Sequence, residues 1–207
     1  MQKANFVKEI EKALDTLFDK VKAAPLIFFN EKDLHFVFHG ILLDSFDSKK
    51  VKIIREYPCN KKMQREHIGR NIDFGLDFSS QFQETFLIGI EFGMEKVTDP
   101  HERVWGDKRY LIRQNAEAKR IIPLIEHMKR DIKKFTECRE INHGFIVNYI
   151  FCISNSKESS DFEKLIDKRE DALNRIAPRP DPTKAFTSIL YTLLVAKDGE
   201  KFQKMLL

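Results

Sequence analysis

Apolar residues near the start of the chain recur every three or four positions, and this spacing predicts two helices. Between residues 5 and 22 they form a single apolar stripe. A second helix is expected at about 31–43, where apolar residues lie on nearly every side, so this helix should be buried. Asn30 precedes it as the expected N-cap, with Asp33 three residues later in the capping-box position.

Alternating or continuous runs of apolar residues predict the strands of a sheet. Strands are expected at 51–57, 71–78, 85–92, 144–153 and 185–195, and further helices at 107–135 and 160–175. Pro58 should end the first strand, and Pro123 should kink or break the long helix. This order of elements is typical of an α/β domain with a mixed sheet.

The chain shows no internal repeat and no boundary between two domains. Residues 1–207 are therefore expected to form one domain: a helical extension at 1–24, a core at 30–155, and a C-terminal helix and strand at 156–207.

Composition narrows the class of protein. Apolar residues make up 42% of the 207 residues and charged residues 33%, which is typical of a globular protein and not of a disordered one. No apolar run approaches the ~20 residues that span a membrane. The N-terminus lacks the apolar centre of a signal peptide, so a cytoplasmic protein without a membrane partner is expected.

Two acidic residues, Asp73 and Glu91, interrupt the apolar pattern of two neighbouring predicted strands. A buried carboxylate is costly unless it is paired or holds a metal. Carboxylates on adjacent strands can hold Mg²⁺ or Mn²⁺ between them, because these cations prefer oxygen ligands. The alternative is a structural ion pair, with Arg55 or Arg70 as the partner.

Around these acids the chain resembles the PD-(D/E)XK nuclease superfamily, from about residue 30 to about residue 155. The resemblance is carried by the order and spacing of six segments: NEKDLHF, REYP, RNIDFGL, IGIEFGMEK, LIRQNAEAKR and GFIVNYIFCISN. It implies a restriction-endonuclease-like mixed β-sheet flanked by helices, here with an extra N-terminal helix. It also implies magnesium-dependent hydrolysis of nucleic-acid phosphodiesters, with DNA the expected substrate. A separate alternative is a purely structural or regulatory partner in a defence system.

The resemblance also implies roles for individual residues. Asp73 and Glu91 would be the metal carboxylates, Glu31 would assist through water, and Gln114 would match a glutamine on the helix behind the site. Glu31 could instead stabilise the N-terminus of its helix. Gln114 could equally be an ordinary surface residue.

One position departs from the superfamily pattern, which has lysine two residues after the second acid. This chain has Gly93 there. Lys96 is the candidate replacement, and it could reach the site only if the chain formed a bulge or turn after Phe92. Glu95 shares the face of Glu91 and could be a further metal ligand instead.

Two histidines, His35 and His39, stand four residues apart on a predicted helix, which is a spacing found in zinc sites. No third ligand stands nearby in the sequence, so they are interpreted as core or boundary residues.

Basic residues cluster in the segments 49–55, 61–70 and 103–120, and could border one cleft suited to nucleic acid. The residues expected to bind it are Lys61, Lys62, Arg65, Arg70, Arg113 and Arg120. A solvated charged surface is the alternative interpretation. The net charge of +4 permits nucleic-acid binding without requiring it.

The missing lysine leaves a second function open. The chain could be a catalytically degenerate protein of nuclease fold that binds nucleic acid or a protein partner, including a second copy of itself. The position of Lys96 relative to Glu91 is the feature that separates this alternative from an active enzyme.

Overall fold

The computed structural model describes residues 3–24, 28, 30–58, 71–98, 103–105, 108–110, 122–138, 140–153, 185–196 and 199–206. The first half of the chain contains α1 (Lys3–Ala23), α2 (Glu31–Ser45), β1 (Lys52–Pro58), β2 (Asn71–Asp77) and β3 (Leu87–Thr98). The second half contains β4 (Arg103–Trp105), β5 (Lys108–Tyr110), α3 (Ile122–Glu137), β6 (Ile141–Ile153), β7 (Ala185–Ala196) and β8 (Gly199–Leu206).

Six of the strands form one mixed sheet in the order β1-β2-β3-β6-β7-β8. β1, β2 and β3 are antiparallel to one another, β3, β6 and β7 run parallel, and β8 returns antiparallel to β7. The central parallel strands are covered on both faces, which explains their nearly continuous apolar sequences. The prediction of an α/β fold with a mixed sheet flanked by helices and an additional N-terminal helix is confirmed.

The helices lie on opposite faces of the sheet. On one face Phe38 of α2 packs against Phe74 and Phe92, with ring centroids 5.5 and 5.2 Å apart. On the other face the ring of Phe135 in α3 lies directly over Gly89 of β3. Because side chains alternate along a strand, this arrangement turns the face of β3 that carries Glu91 towards α3.

The N-terminal helix α1 is part of the core. Phe18 packs on Tyr191 of β7 at a centroid distance of 4.4 Å. The buried stripe predicted for this helix is present, and its members are Phe6, Ile10, Ala13, Leu14, Leu17, Phe18 and Val21. Among the helices in the described ranges, none has both the length and the apolar character needed to cross a membrane.

The start of α2 is fixed by the predicted capping box. Asn30 Oδ1 accepts from the backbone N–H of Lys32, and Asp33 Oδ2 accepts from the backbone N–H of Asn30. The expectation that this helix is buried on nearly every side is wrong: Phe36 is 74% exposed and Leu43 is 53% exposed. α2 packs on one face of the sheet, so only the side of the helix that faces the sheet is buried in the core.

Two element boundaries differ most from the sequence predictions: the end of β3 and the start of α3. β3 continues to Thr98 because β6 pairs with it along that length. The prediction of a single helix over 107–135 is wrong, since residues 108–110 form a strand and α3 begins at Ile122. Pro123 thus lies in the first turn of α3, where its missing N–H costs nothing, and causes no mid-helix kink. The predicted helix at 160–175 lies outside the described residues.

Two glycines allow a matched test of this packing. Alanine at Gly40, on the exposed side of α2, meets nothing within 4 Å, and should stabilise the protein by up to about 1 kcal/mol. Alanine at Gly89 would place its Cβ 2.6 Å from Phe135 and 2.7 Å from Ile141, and should destabilise it by about 1–3 kcal/mol. Urea unfolding measures both changes. Unchanged stability in Gly89→Ala would contradict the packing of α3 on β3.

Candidate metal centre

The sheet opens between β2 and β3 where Asp73 lies. Backbone pairing of the two strands ends at Phe74 and Ile90, and one further step in the same register would set Asp73 opposite Glu91. Beyond that point the backbone N–H of Phe92 donates to Asp73 Oδ2 at 2.7 Å. The Asp73 carboxylate therefore occupies the gap between the strands and is held there by main-chain hydrogen bonding.

The N-terminal half of α2 adds two side chains to this carboxylate. His35 Nε2 lies 3.3 Å from Asp73 Oδ2 and 3.9 Å from Glu31 Oε1. One donor atom from each of the three residues lies within 4.8 Å of the other two. Glu31 and His35 are four residues apart and so project from the same side of the helix. Two carboxylates and one imidazole thus converge at the opening of the sheet.

Glu91 is held from the other side by α3. It is only 2% exposed, and its Oε1 accepts from Lys134 Nζ at 2.8 Å. The same ammonium lies 3.5 Å from Asp131 Oδ1, one helical turn earlier. Asp131 is also 2% exposed. Lys134 therefore lies between two buried carboxylates, which it partly neutralises.

The pKa values of two glutamates at the site, Glu91 and Glu31, are raised by burial and by neighbouring negative charge. Burial raises the pKa of Glu91 well above its usual range, and the charges of Asp73 and Asp131 raise it further, while Lys134 opposes them. Burial also raises the pKa of Glu31, with Asp73 the next largest cause. The influence of Asp73 on both glutamates shows that it lies within electrostatic reach of each.

The pKa values of the two charged residues of α3 at the site, Asp131 and Lys134, are also raised. Burial raises the pKa of Asp131 to about 7, against the opposing effect of Lys134. Burial lowers the pKa of Lys134, but Glu91 and Asp131 outweigh it and the net shift is upward. One ammonium thus offsets only part of the negative charge that the four carboxylates carry when they are ionised.

The residues predicted to form the site have three different outcomes. Glu31 and Asp73 lie together with His35, whereas Glu91 lies within electrostatic reach of Asp73 but is not one of that group of three. The predicted bulge after Phe92 is wrong, because β3 and β6 pair without a register shift from Ile88 to Thr98, so this route would not bring Lys96 to the site. The remaining predicted positions lie outside the described residues or side chains: the side chains of Glu95 and Lys96, and residues Gln114, Lys61, Lys62, Arg65, Arg70, Arg113 and Arg120.

Sequence reasoning missed three residues of the site: His35, Asp131 and Lys134. His35 is a core residue, which is one of the two positions expected for it, and the signal for its role is the four-residue spacing to Glu31 on the same helix. Glu91 forms an ion pair with Lys134, whereas the partners expected from the sequence were Arg55 and Arg70, of which Arg70 lies outside the described residues. The sequence signal that points to Asp131 and Lys134 is their i, i+3 spacing, which places them on one face of a helix.

Comparisons with protein-family models, with curated proteins and with solved structures found no match to this chain. The resemblance to the PD-(D/E)XK superfamily accordingly stays a prediction from the sequence.

Proposed function

We propose that this protein is a metal-dependent endonuclease that hydrolyses nucleic-acid phosphodiesters, with DNA as the expected substrate. The observation that carries the proposal is the group of partly buried Glu31 and Asp73 with buried His35 at the opening of the sheet, beside buried Glu91 and the ammonium of Lys134 that pairs with it. Nucleic acid as the substrate class rests on the sequence motifs that surround Asp73 and Glu91.

The donor set fits a divalent cation. Carboxylate oxygens are the ligands that Mg²⁺ and Mn²⁺ accept, and a cation would offset the burial and the repulsion from Asp73 that raise the pKa of Glu31 and Glu91. Glu31, Asp73 and, as the resemblance implies, Glu91 would hold it. When bound, such a cation supplies Lewis-acid activation of water and neutralises charge on the phosphate.

Lys134 takes the electrostatic role that the resemblance gives to the lysine missing at position 93. Its ammonium is fixed against Glu91 by a 2.8 Å hydrogen bond and is supported by Asp131. In this position it would stabilise negative charge that develops on the phosphate. One such preorganised donor is often worth about 2–4 kcal/mol of barrier.

The hydrogen bond from Lys134 to Glu91 also favours a second candidate function. Because Lys134 already neutralises part of Glu91, the pair could be a structural ion pair in a protein that binds nucleic acid without cutting it. Binding without cleavage is the result that would distinguish this function from the first.

A cleavage assay with an isosteric variant tests the proposal. The full-length protein should cut plasmid or linear DNA with Mg²⁺ or Mn²⁺ and not with EDTA. Asp73→Asn should lower the rate at least ~100-fold, because it removes a charge on which cation binding depends. Asp77→Asn is the matched control: Asp77 stands on the same strand and accepts from Ser79, away from the cluster.

The outcomes separate the two functions. Cleavage that survives in Asp73→Asn would contradict the metal centre. DNA binding by the wild-type protein without cleavage under any divalent cation would favour the degenerate alternative. The absence of both binding and cleavage with DNA and with RNA would contradict both functions.

A further inference from the structure

We infer that His35 is a ligand of the metal centre, and that the site therefore takes Mn²⁺ or another first-row transition ion in preference to Mg²⁺. The inference deepens the proposed function and rests on it for the presence of a divalent cation. The assignment comes from the position of the His35 ring beside Asp73 and Glu31.

The His35 Nε2 atom is buried without a hydrogen bond. The side chain is 7% exposed, and the part of the chain that the structure describes offers Nε2 no hydrogen-bond partner. The 3.3 Å approach to Asp73 Oδ2 is not aligned for a hydrogen bond, and that oxygen already accepts from the backbone N–H of Phe92. A buried polar atom without a partner is costly, which indicates that something else binds there.

The ring is held in place by its neighbours. It packs between Phe74 and Phe92, with centroid distances of 5.6 and 5.4 Å. The α2 backbone that carries it starts at the capping box of Asn30. Because both the ring and the helix are fixed, His35 directs Nε2 at the carboxylates without a further ordering cost. Such preorganisation is a property of built ligand sites.

The donor separations suit one small cation. Around an ion with bonds of about 2.1 Å, adjacent octahedral donors lie about 3.0 Å apart and opposite donors about 4.2 Å apart. The measured 3.3 Å from Nε2 to Asp73 and 3.9 Å from Nε2 to Glu31 lie within that span. One cation could therefore contact all three residues with small adjustments of their side chains.

The nitrogen donor sets the metal preference. Mg²⁺ prefers oxygen ligands and keeps its waters, whereas imidazole nitrogen suits transition ions, and Mn²⁺ accepts both nitrogen and carboxylate oxygen. The wild-type protein should thus bind Mn²⁺ about tenfold or more tightly than Mg²⁺. His35→Gln should reduce Mn²⁺ affinity more than Mg²⁺ affinity, and so remove most of the difference.

Pulsed electron paramagnetic resonance of the Mn²⁺-loaded full-length protein tests ligation directly. Coordinated imidazole should produce ¹⁴N modulation of the Mn²⁺ echo, and growth with ¹⁵N-histidine should convert it to the ¹⁵N pattern without any substitution. The modulation should disappear in His35→Gln and persist in His39→Gln. His39 is the matched control, since it lies one turn later on α2 and stacks on Phe74 outside the cluster.

Calorimetric titration with Mn²⁺ and Mg²⁺ completes the test. Mn²⁺ binding without nitrogen modulation, or equal affinity for the two ions, would overturn the inference and leave the proposed function standing. Binding of neither ion would overturn both. Nitrogen modulation that persists in folded His35→Gln would assign the ligand to another histidine and would also overturn the inference.

Discussion

Lys134→Met is expected to slow DNA cleavage by about 10²–10³-fold, because it removes a positive charge that is fixed beside the carboxylates. Binding of Mn²⁺ should be retained or tightened, since lysine is not a metal ligand and its charge repels the cation. Lys133→Met is the matched control, because the Lys133 side chain is 46% exposed and pairs with Glu137 one helical turn later. Rates and calorimetry should be measured where circular dichroism shows both variants folded.

Three results would contradict this assignment. Wild-type cleavage in Lys134→Met would show that its ammonium has no part in the reaction. A large loss of cleavage in Lys96→Met, with Lys134→Met active, would return the role to the residue that the sequence suggested. Equal losses in Lys133→Met and Lys134→Met would indicate a general effect of basic residues on DNA binding.

The elements that could be predicted from the sequence are those with a strong local signal. The stripe of α1 and the capping box of α2 depend on residues within one or two helical turns. β7 was predicted almost to the residue because its apolar run is long and buried. Asp73 and Glu91 could be selected for the same reason, since each is an acid placed in an apolar strand.

The rest of the site depends on contacts between distant segments. Lys134 stands 43 residues from Glu91, and the two meet only because α3 crosses the face of β3 that carries the acid. The spacing of Asp131 and Lys134 shows that they share a helix face, but not which strand that face covers. β8 was missed for a related reason: it carries several charged residues, and it is stabilised by pairing with β7.

Removing one charge of the Glu91–Lys134 pair should have the largest effect on stability. In metal-free buffer Lys134→Met should lower the free energy of unfolding by about 3–5 kcal/mol, because it leaves a buried carboxylate without its cation. Burial, Asp73 and Asp131 all disfavour the charged form of Glu91, so Lys134 is the group that offsets them. The double variant Glu91→Gln/Lys134→Met should recover part of this loss, since the charge of Glu91 is then removed while buried Asp131 still lacks its cation.

Urea unfolding of the wild type, both single variants and the double variant forms a double-mutant cycle that isolates the charge interaction. The exposed pair Lys133 and Glu137 provides the control cycle, where a coupling below about 1 kcal/mol is expected. A double variant as unstable as Lys134→Met would contradict the charge argument for Glu91 and assign the loss to Asp131 or to packing of the lysine stem. A stable double variant that no longer cleaves DNA would show that the charges are retained for activity and not for folding.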